Sequence, residues 1–277
     1  MDSAQNPPTK MLSLPSGMLF SKQLKVTDVQ QVNHDTKRIT FALPGGKNEV
    51  SGLTPGAAIL TQHTPAGAWF PVLRPYTPIH DLDQPGILEL LVKKYPEGRA
   101  STHMHSLSTG DELTVRGPLP GAWTTPKDQR EIVLVAGGAG ITPIYSLTKG
   151  ILYNPGDKTK IRLLWGVNGT RDIVLKEEFE ALEQQYPDRL QVTYAVSGFE
   201  ASPSAPSLGD ESKYRKGYVD KSLLQEAIQK CQKSGAWGDA KAQKVFLCGP
   251  PKMEDAIAGK NGVLAELGVQ RKEVHRF

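Results

Sequence analysis

The twelve residues Ile132-Val133-Leu134-Val135-Ala136-Gly137-Gly138-Ala139-Gly140-Ile141-Thr142-Pro143 constrain this chain more than any other feature of its sequence. The apolar, β-branched run has the composition of a buried strand, the glycines let the backbone bend close to a ligand, and residues 144–152 can continue as a helix. A strand that hands over to a helix in this way leaves N–H groups facing outward at the helix start, where the helix dipole favours an anion. A phosphate-bearing ligand is the first candidate. The spacing follows neither G-x-G-x-x-G nor the Gly-Lys-Ser/Thr of a P-loop, and a purely structural turn explains the segment alone equally well.

A chain of 277 residues with 38% hydrophobic content has room for two domains with real cores. A formal charge of +4 without any Lys/Arg block argues against a nucleic-acid partner, while a local basic patch could still meet an acidic protein. Cys231 and Cys248 make neither a disulfide framework nor a metal site, and no metal is expected. No apolar run is long enough to span a membrane, so any anchor is expected to be absent from this chain. Residues 1–20, with Pro7, Pro8, Pro15 and Gly17, read as a loose leader.

Two textures follow. Strands are expected at 24–32, 36–43, 57–63, 72–79, 87–94 and 112–116, separated by turns such as Pro44-Gly45-Gly46 and Thr54-Pro55-Gly56. An antiparallel six-stranded β-barrel at 21–125 is the economical reading, with one short helix at 101–107 that takes Ser101 as its N-cap. Beyond a Pro/Gly-rich crossover at 118–126, strands at 132–136, 160–167, 190–196 and 244–248 alternate with helices at 144–152, 175–185, 221–233 and 252–267. That predicts a doubly wound parallel α/β domain at 126–277, with a polar loop at 199–216 and a ligand crevice between the domains.

Three further constellations carry chemistry. Arg74-Pro75-Tyr76-Thr77-Pro78 puts Arg74 and Tyr76 on one strand face, an arginine able to clamp a pyrophosphate beside a phenol able to pack on a planar ring. Gly98-Arg99-Ala100-Ser101-Thr102 opens a helix and offers a second backbone anion site. Cys248-Gly249-Pro250-Pro251 ends a strand and begins a helix, which puts the thiol where parallel sheets bind ligands. Taken singly, an edge-strand arginine, a capped turn and a buried cysteine explain them as well.

In order and approximate spacing, these motifs and Gly137-Gly138-Ala139-Gly140-Ile141-Thr142-Pro143 resemble the NADH–cytochrome b5 reductase family, built on the FAD- and pyridine-nucleotide-binding unit of ferredoxin reductases. His34-Asp35-Thr36 and the final Phe277 agree, and the runs 92–96 and 176–179 are similar to the fungal mitochondrial branch. The resemblance implies that Arg74, Pro75, Tyr76, Thr77, Leu91, Lys93, Tyr95, Gly98, Ala100, Ser101 and Thr102 hold FAD. It implies that Gly137, Gly138, Gly140, Thr142, Pro143, Cys248, Gly249, Pro250 and Met253 meet NADH, with Cys248 and Thr142 at the reacting rings and His34 and Lys93 assisting their orientation. Asp172, after the second α/β strand, could select NADH by bonding a ribose hydroxyl, or could simply cap a helix. Ala139 and Lys252 depart from the family pattern.

The implied activity is hydride transfer from NADH to FAD and single-electron transfer to a haem protein, cytochrome b5, by a monomer at a mitochondrial or endoplasmic-reticulum membrane that is soluble in this form. The reductase module of a nitrate reductase and a non-catalytic redox sensor are the competing readings; an initial Met1 with no haem-type sequence before the barrel weighs against the first, and intact Arg74, Ser101, Thr142 and Cys248 against the second.

Overall fold

The protein is described by a computed structural model covering residues 7–13, 19–121, 123, 130–198, 211–233 and 244–277. It divides into two compact units, Met1–Ala122 and Trp123–Phe277.

The first unit runs β1 (Thr9–Lys10), β2 (Lys22–Gln31), β3 (Thr36–Ala42), β4 (Glu49–Val50), β5 (Ala58–His63), β6 (Val72–Tyr76), β7 (Ile87–Lys93), α1 (Arg99–Ser106) and β8 (Glu112–Leu119). Six strands form the expected antiparallel barrel sheet in the order β6-β5-β8-β2-β3-β7. Strict alternation sends Leu24 and Val26, Ile39 and Phe41, Leu88 and Leu90, and Leu113 and Val115 to one face, where all are buried in a single core. Each such side chain contributes about 1.5–3 kcal/mol by leaving water. Helix α1 packs against both β6 and β7, the two ends of the strand order. Proline at position 75 suits β6, an edge strand where a missing N–H breaks no ladder.

The second unit runs β9 (Glu131–Gly137), α2 (Ile141–Tyr153), β10 (Lys160–Val167), α3 (Lys176–Gln185), β11 (Leu190–Val196), β12 (Tyr214–Lys216), α4 (Lys221–Lys233), β13 (Val245–Cys248), α5 (Pro251–Ala258), α6 (Val263–Glu266) and β14 (Val274–Arg276). All six strands are parallel, in the order β12-β11-β10-β9-β13-β14. Both faces are covered. Val133 and Val135 pack with Leu224, Ala227 and Ile228 of α4, while Trp165 and Tyr145 meet Phe179 of α3 on the other side. Chain order leaves β9 in one direction through β10, β11 and β12, then returns to its other side as β13. The topological switch point therefore lies between β9 and β13, whose ends carry Gly137 and Cys248. Arg189 holds α2 in place by donating to the carbonyls of Ile151, Leu152 and Thr159, a cation at a helix C-terminus.

Several expectations need correction. Met11 and Leu12, assigned to a loose leader, are buried in the barrel core, and their N–H groups donate to Val50 and Ser51. Positions 1–6 and 14–18 of that leader lie outside the described residues. The helix expected at 252–267 is two, because Gly259 ends α5 and Gly262 starts α6. Within the loop expected at 199–216, Tyr214–Lys216 is a strand paired with β11, and residues 199–210 lie outside the described set. Strand β14 was not foreseen; at three residues it carries too little periodicity to be read.

Candidate active site

In the first unit the groups gather around β6, the end of β7 and the start of α1. Register places Arg74 opposite Thr61 and Tyr76 opposite Ile59. Arg74 and Tyr76 therefore share a face, as the alternation predicts, and Thr61 Oγ1 donates to the Arg74 carbonyl at 3.1 Å. The Arg74 guanidinium is exposed and, among the described residues, donates locally to the Leu73 carbonyl at 2.8 Å. Tyr76 is half-buried, and its phenol is pushed up to about 12 by burial, with Tyr95 adding to the effect and Arg74 opposing it. Pro75 is exposed, Thr77 is buried, and Pro78 falls beyond the strand.

Ser101 does not cap α1. Gly98 is the N-cap, and the buried Ser101 hydroxyl donates to the Gly98 carbonyl at 3.0 Å while accepting the Tyr95 N–H at 3.2 Å. The hydroxyl thus stitches the turn from Tyr95 to Gly98, and a Cβ on Gly98 would run into it. The first N–H groups of a helix have no acceptor within it, and here Arg99, Ala100 and Ser101 carry them. Thr102 is exposed beside them, and Leu91 is buried in β7.

His34 and Lys93 are brought together by Asp35, a member of the His34-Asp35-Thr36 segment to which the sequence assigned no role. Asp35 lies 2.6 Å from Lys93 Nζ and 3.4 Å from His34 Nε2. Burial alone would raise the Asp35 carboxyl, but hydrogen bonds from Lys93 and Thr36 hold it below the usual carboxylate range. An acid beside a histidine, with a lysine opposite on a paired strand, was the signal available in the sequence.

In the second unit the site forms at the switch point. Gly138 has φ +51°, the left-handed region that favours glycine. Gly137 and Gly140 also allow a close approach within the protein itself: Gly140 to backbone, Gly137 to side chains of the next loop. A Cβ on Gly140 would strike the Cys248 carbonyl oxygen and lie 2.9 Å from Gly249 N, and one on Gly137 would strike Met253 Sδ and lie 2.9 Å from Pro250 Cδ. The two strand-end loops are therefore locked together, backbone against backbone at Gly140 and backbone against side chains at Gly137. Thr142 and Pro143 are buried in the first turn of α2, and Thr142 Oγ1 donates to the Ala139 carbonyl at 3.3 Å.

Cys248 is partly buried. Its thiol is pushed up to about 12, first by burial and then by the charge of Glu254, so at neutral pH it is a thiol and not a thiolate nucleophile. Glu254 is itself buried and accepts the Gly249 N–H at 3.0 Å, which takes that donor from any ligand. Pro250 remains exposed at the mouth of this loop. Asp172 Oδ2 accepts the Gly169 N–H at 2.9 Å, closing a turn just after β10. The carboxylate thus caps the short turn Thr170–Asp172 to which it belongs, and not the helix that follows.

The donor sets fit the two nucleotides. A guanidinium beside helix-start N–H groups and a half-buried phenol suits the diphosphate and ring of FAD. A glycine bend opening a helix at a switch point suits a pyridine dinucleotide. Fold and site define an oxidoreductase that binds FAD in its first unit and NAD in its second. Residues 23–123 match the family described as Oxidoreductase FAD-binding domain, and 134–259 match Oxidoreductase NAD-binding domain. NADH-cytochrome b5 reductase 2 of Emericella nidulans is 40% identical over 264 residues, covering 92% of this chain and 77% of that protein. The protein of the same name from Neurospora crassa is 39% identical over 264 residues, covering 92% and 72%. The chain belongs to the NADH-cytochrome b5 reductase family. Among solved structures, the cytochrome b5 reductase domain of Ulva prolifera nitrate reductase aligns with a TM-score of 0.76 at 26% identity, covering 97% of this chain and 100% of that one. The CS-b5R domains of human Ncb5or share the fold, with a TM-score of 0.71 at 20% identity over 93% of this chain and 69% of that one.

Proposed function

We propose that the protein takes hydride from NADH onto FAD and passes the electrons singly to a cytochrome b5-type haem protein. One observation carries the reading: the Gly137–Gly140 bend and the Cys248–Gly249 loop are locked together at the switch point, with a thiol that stays protonated at its edge, and this supports a nicotinamide site there. FAD, once bound, supplies the conversion of a two-electron donor into one-electron steps, which amino-acid side chains do not offer. The chain's own groups bind and align. Arg74 and the start of α1 neutralise the FAD diphosphate, and Tyr76, Thr77, Leu91 and Tyr95 bound the flavin and adenine sides.

Pro75 stiffens β6, and Gly98, Ala100 and Thr102 frame the phosphate turn. Lys93 and His34, joined through Asp35, orient the two nucleotides. Thr142 and Cys248 fix the nicotinamide, Gly138, Pro143, Pro250 and Met253 line its pocket, and Asp172 favours NADH over NADPH. The work falls to a monomer at a mitochondrial or endoplasmic-reticulum membrane; the runs 92–96 and 176–179, similar to the fungal mitochondrial branch, favour the former. Among the described residues no helix is long and apolar enough to cross a membrane.

The test mixes the NADH-reduced protein with oxidised cytochrome b5. Two haems should be reduced per flavin, and the rate should fall as salt rises, because a chain of formal charge +4 meets an acidic partner through steering. Flavin that stays reduced in the presence of the haem protein would reject this acceptor class.

A further inference from the structure

The loop that carries Cys248 is held from below by a device outside the motifs read from the sequence. Glu254, in the first turn and a half of α5, is buried, and its two oxygens face opposite ways. Oε1 accepts the Gly249 N–H at 3.0 Å; Oε2 meets Arg276 Nε at 2.9 Å. Arg276 also reaches Asp255 Oδ1 at 3.1 Å, and it lies on β14, which pairs with β13 so that Leu247 stands opposite Arg276. Backbone, helix and last strand thus meet at one carboxylate. The Cys248–Gly249 peptide has little freedom on its other side, because the Cys248 carbonyl already abuts Gly140.

We propose that Glu254, braced by Arg276, is the positioning residue that fixes the Cys248–Gly249 peptide and hence the place of the thiol at the nicotinamide. The proposal rests on the NADH-reductase reading for its kinetic consequence, but not for its structural one. A carboxylate that accepts a partly buried N–H contributes more than a neutral acceptor, and its loss leaves the Gly249 N–H without this acceptor and Arg276 with Asp255 alone of its two carboxylates. The peptide would then relax away from Gly140. Hydride transfer depends on ring placement to a fraction of an ångström, so the consequence appears in the rate of the chemical step and not in FAD retention.

The experiment compares wild type, Glu254→Ala and Glu254→Gln as FAD-loaded proteins, with three readouts: the limiting rate of flavin reduction by NADH, alkylation of Cys248 by iodoacetamide against pH, and hydrogen exchange of the Gly249 amide. Glutamine keeps an acceptor oxygen and removes the charge. E254Q should therefore retain Gly249 amide protection and a limiting rate within about threefold of wild type, whereas E254A should lose the protection and reduce its flavin roughly tenfold or more slowly. Both variants should alkylate faster at a given alkaline pH, since the nearby charge that disfavours the thiolate is gone. Should E254A fail to fold, Arg276→Gln takes its place and should weaken Gly249 protection by freeing the carboxylate. An E254A protein with wild-type rate and protection, or an E254Q protein as slow as E254A, would overturn the assignment. If NADH does not reduce the wild-type flavin, the functional reading fails, and the Gly249 exchange rates still decide whether Glu254 holds the loop.

Discussion

Replacing Gly140 by alanine adds one carbon at the point where the two strand-end loops touch. Built on the present backbone, that Cβ lies 2.5 Å from the Cys248 carbonyl carbon, closer still to its oxygen, and 2.9 Å from Gly249 N. Carbon atoms pack comfortably at about 3.5–4.0 Å, so relief needs a separation of roughly 1 Å. Every atom in the way is backbone, and no side chain can swing aside. Overpacking of this kind typically costs about 1–3 kcal/mol of stability. The functional penalty should be larger in proportion, because a misplacement of about 1 Å in a reacting pair can slow the step about 100-fold. Stopped-flow reduction of the flavin by NADH, with the FAD spectrum recorded beforehand, separates the two effects. Gly140→Ala should bind FAD normally, since every FAD group assigned here lies in the first unit, melt a few degrees lower, and reduce its flavin about 100-fold more slowly. The control is Gly156→Ala, whose Cβ would meet only the end of the Asn154 side chain at 3.3 Å. A folded Gly140→Ala protein with the wild-type reduction rate would refute the claim that the contact between the loops sets the geometry.

Arg74→Ala should weaken FAD retention roughly ten- to a hundredfold, the equivalent of about 1.5–3 kcal/mol for a charge-assisted contact, as read by cofactor loss on dilution. Cys248→Ser should slow flavin reduction while leaving the FAD spectrum in place. In the wild type, a thiol raised to about 12 should resist iodoacetamide near neutral pH and react only as the pH climbs toward that value, which a rate-against-pH profile would check. Asp172→Ser should lower the NADH-to-NADPH efficiency ratio by roughly tenfold, about 1.4 kcal/mol in transition-state terms; because Asp172 also closes the turn at Gly169, a small fall in thermal stability should accompany the change.

Long, strongly patterned segments were legible in the sequence. The buried run of β9 and the alternation of β2, β3 and β7 declare themselves through side-chain periodicity, which depends only on neighbours in the chain. What the sequence did not show fell where the deciding partner is distant. Nothing near Gly140 in sequence announces its close approach to the Cys248 carbonyl. Ser101 has the identity of an N-cap, yet its hydroxyl is drawn back to Gly98 and Tyr95 by the turn that precedes α1. Met11 and Leu12 sit among prolines that suggest a loose leader, but two ladder bonds to Val50 and Ser51 bring them into the core. The break between α5 and α6 was available to the sequence reading, in Gly259 and Gly262, and the amphipathic pattern around it concealed it. The roles of Asp35 and Glu254 could not be read because each acts through a partner 58 or 22 positions away, Lys93 and Arg276 respectively.

The central claim is that this chain joins an FAD site on the barrel to an NADH site at the switch point of the α/β unit. Its most direct test is an anaerobic titration of the purified, FAD-reconstituted protein with NADH, followed at the flavin absorbance band. One equivalent of NADH should bleach one equivalent of bound FAD, with NADPH much less effective. A protein that holds no FAD after reconstitution, or whose bound flavin keeps its colour with excess NADH, would contradict the account.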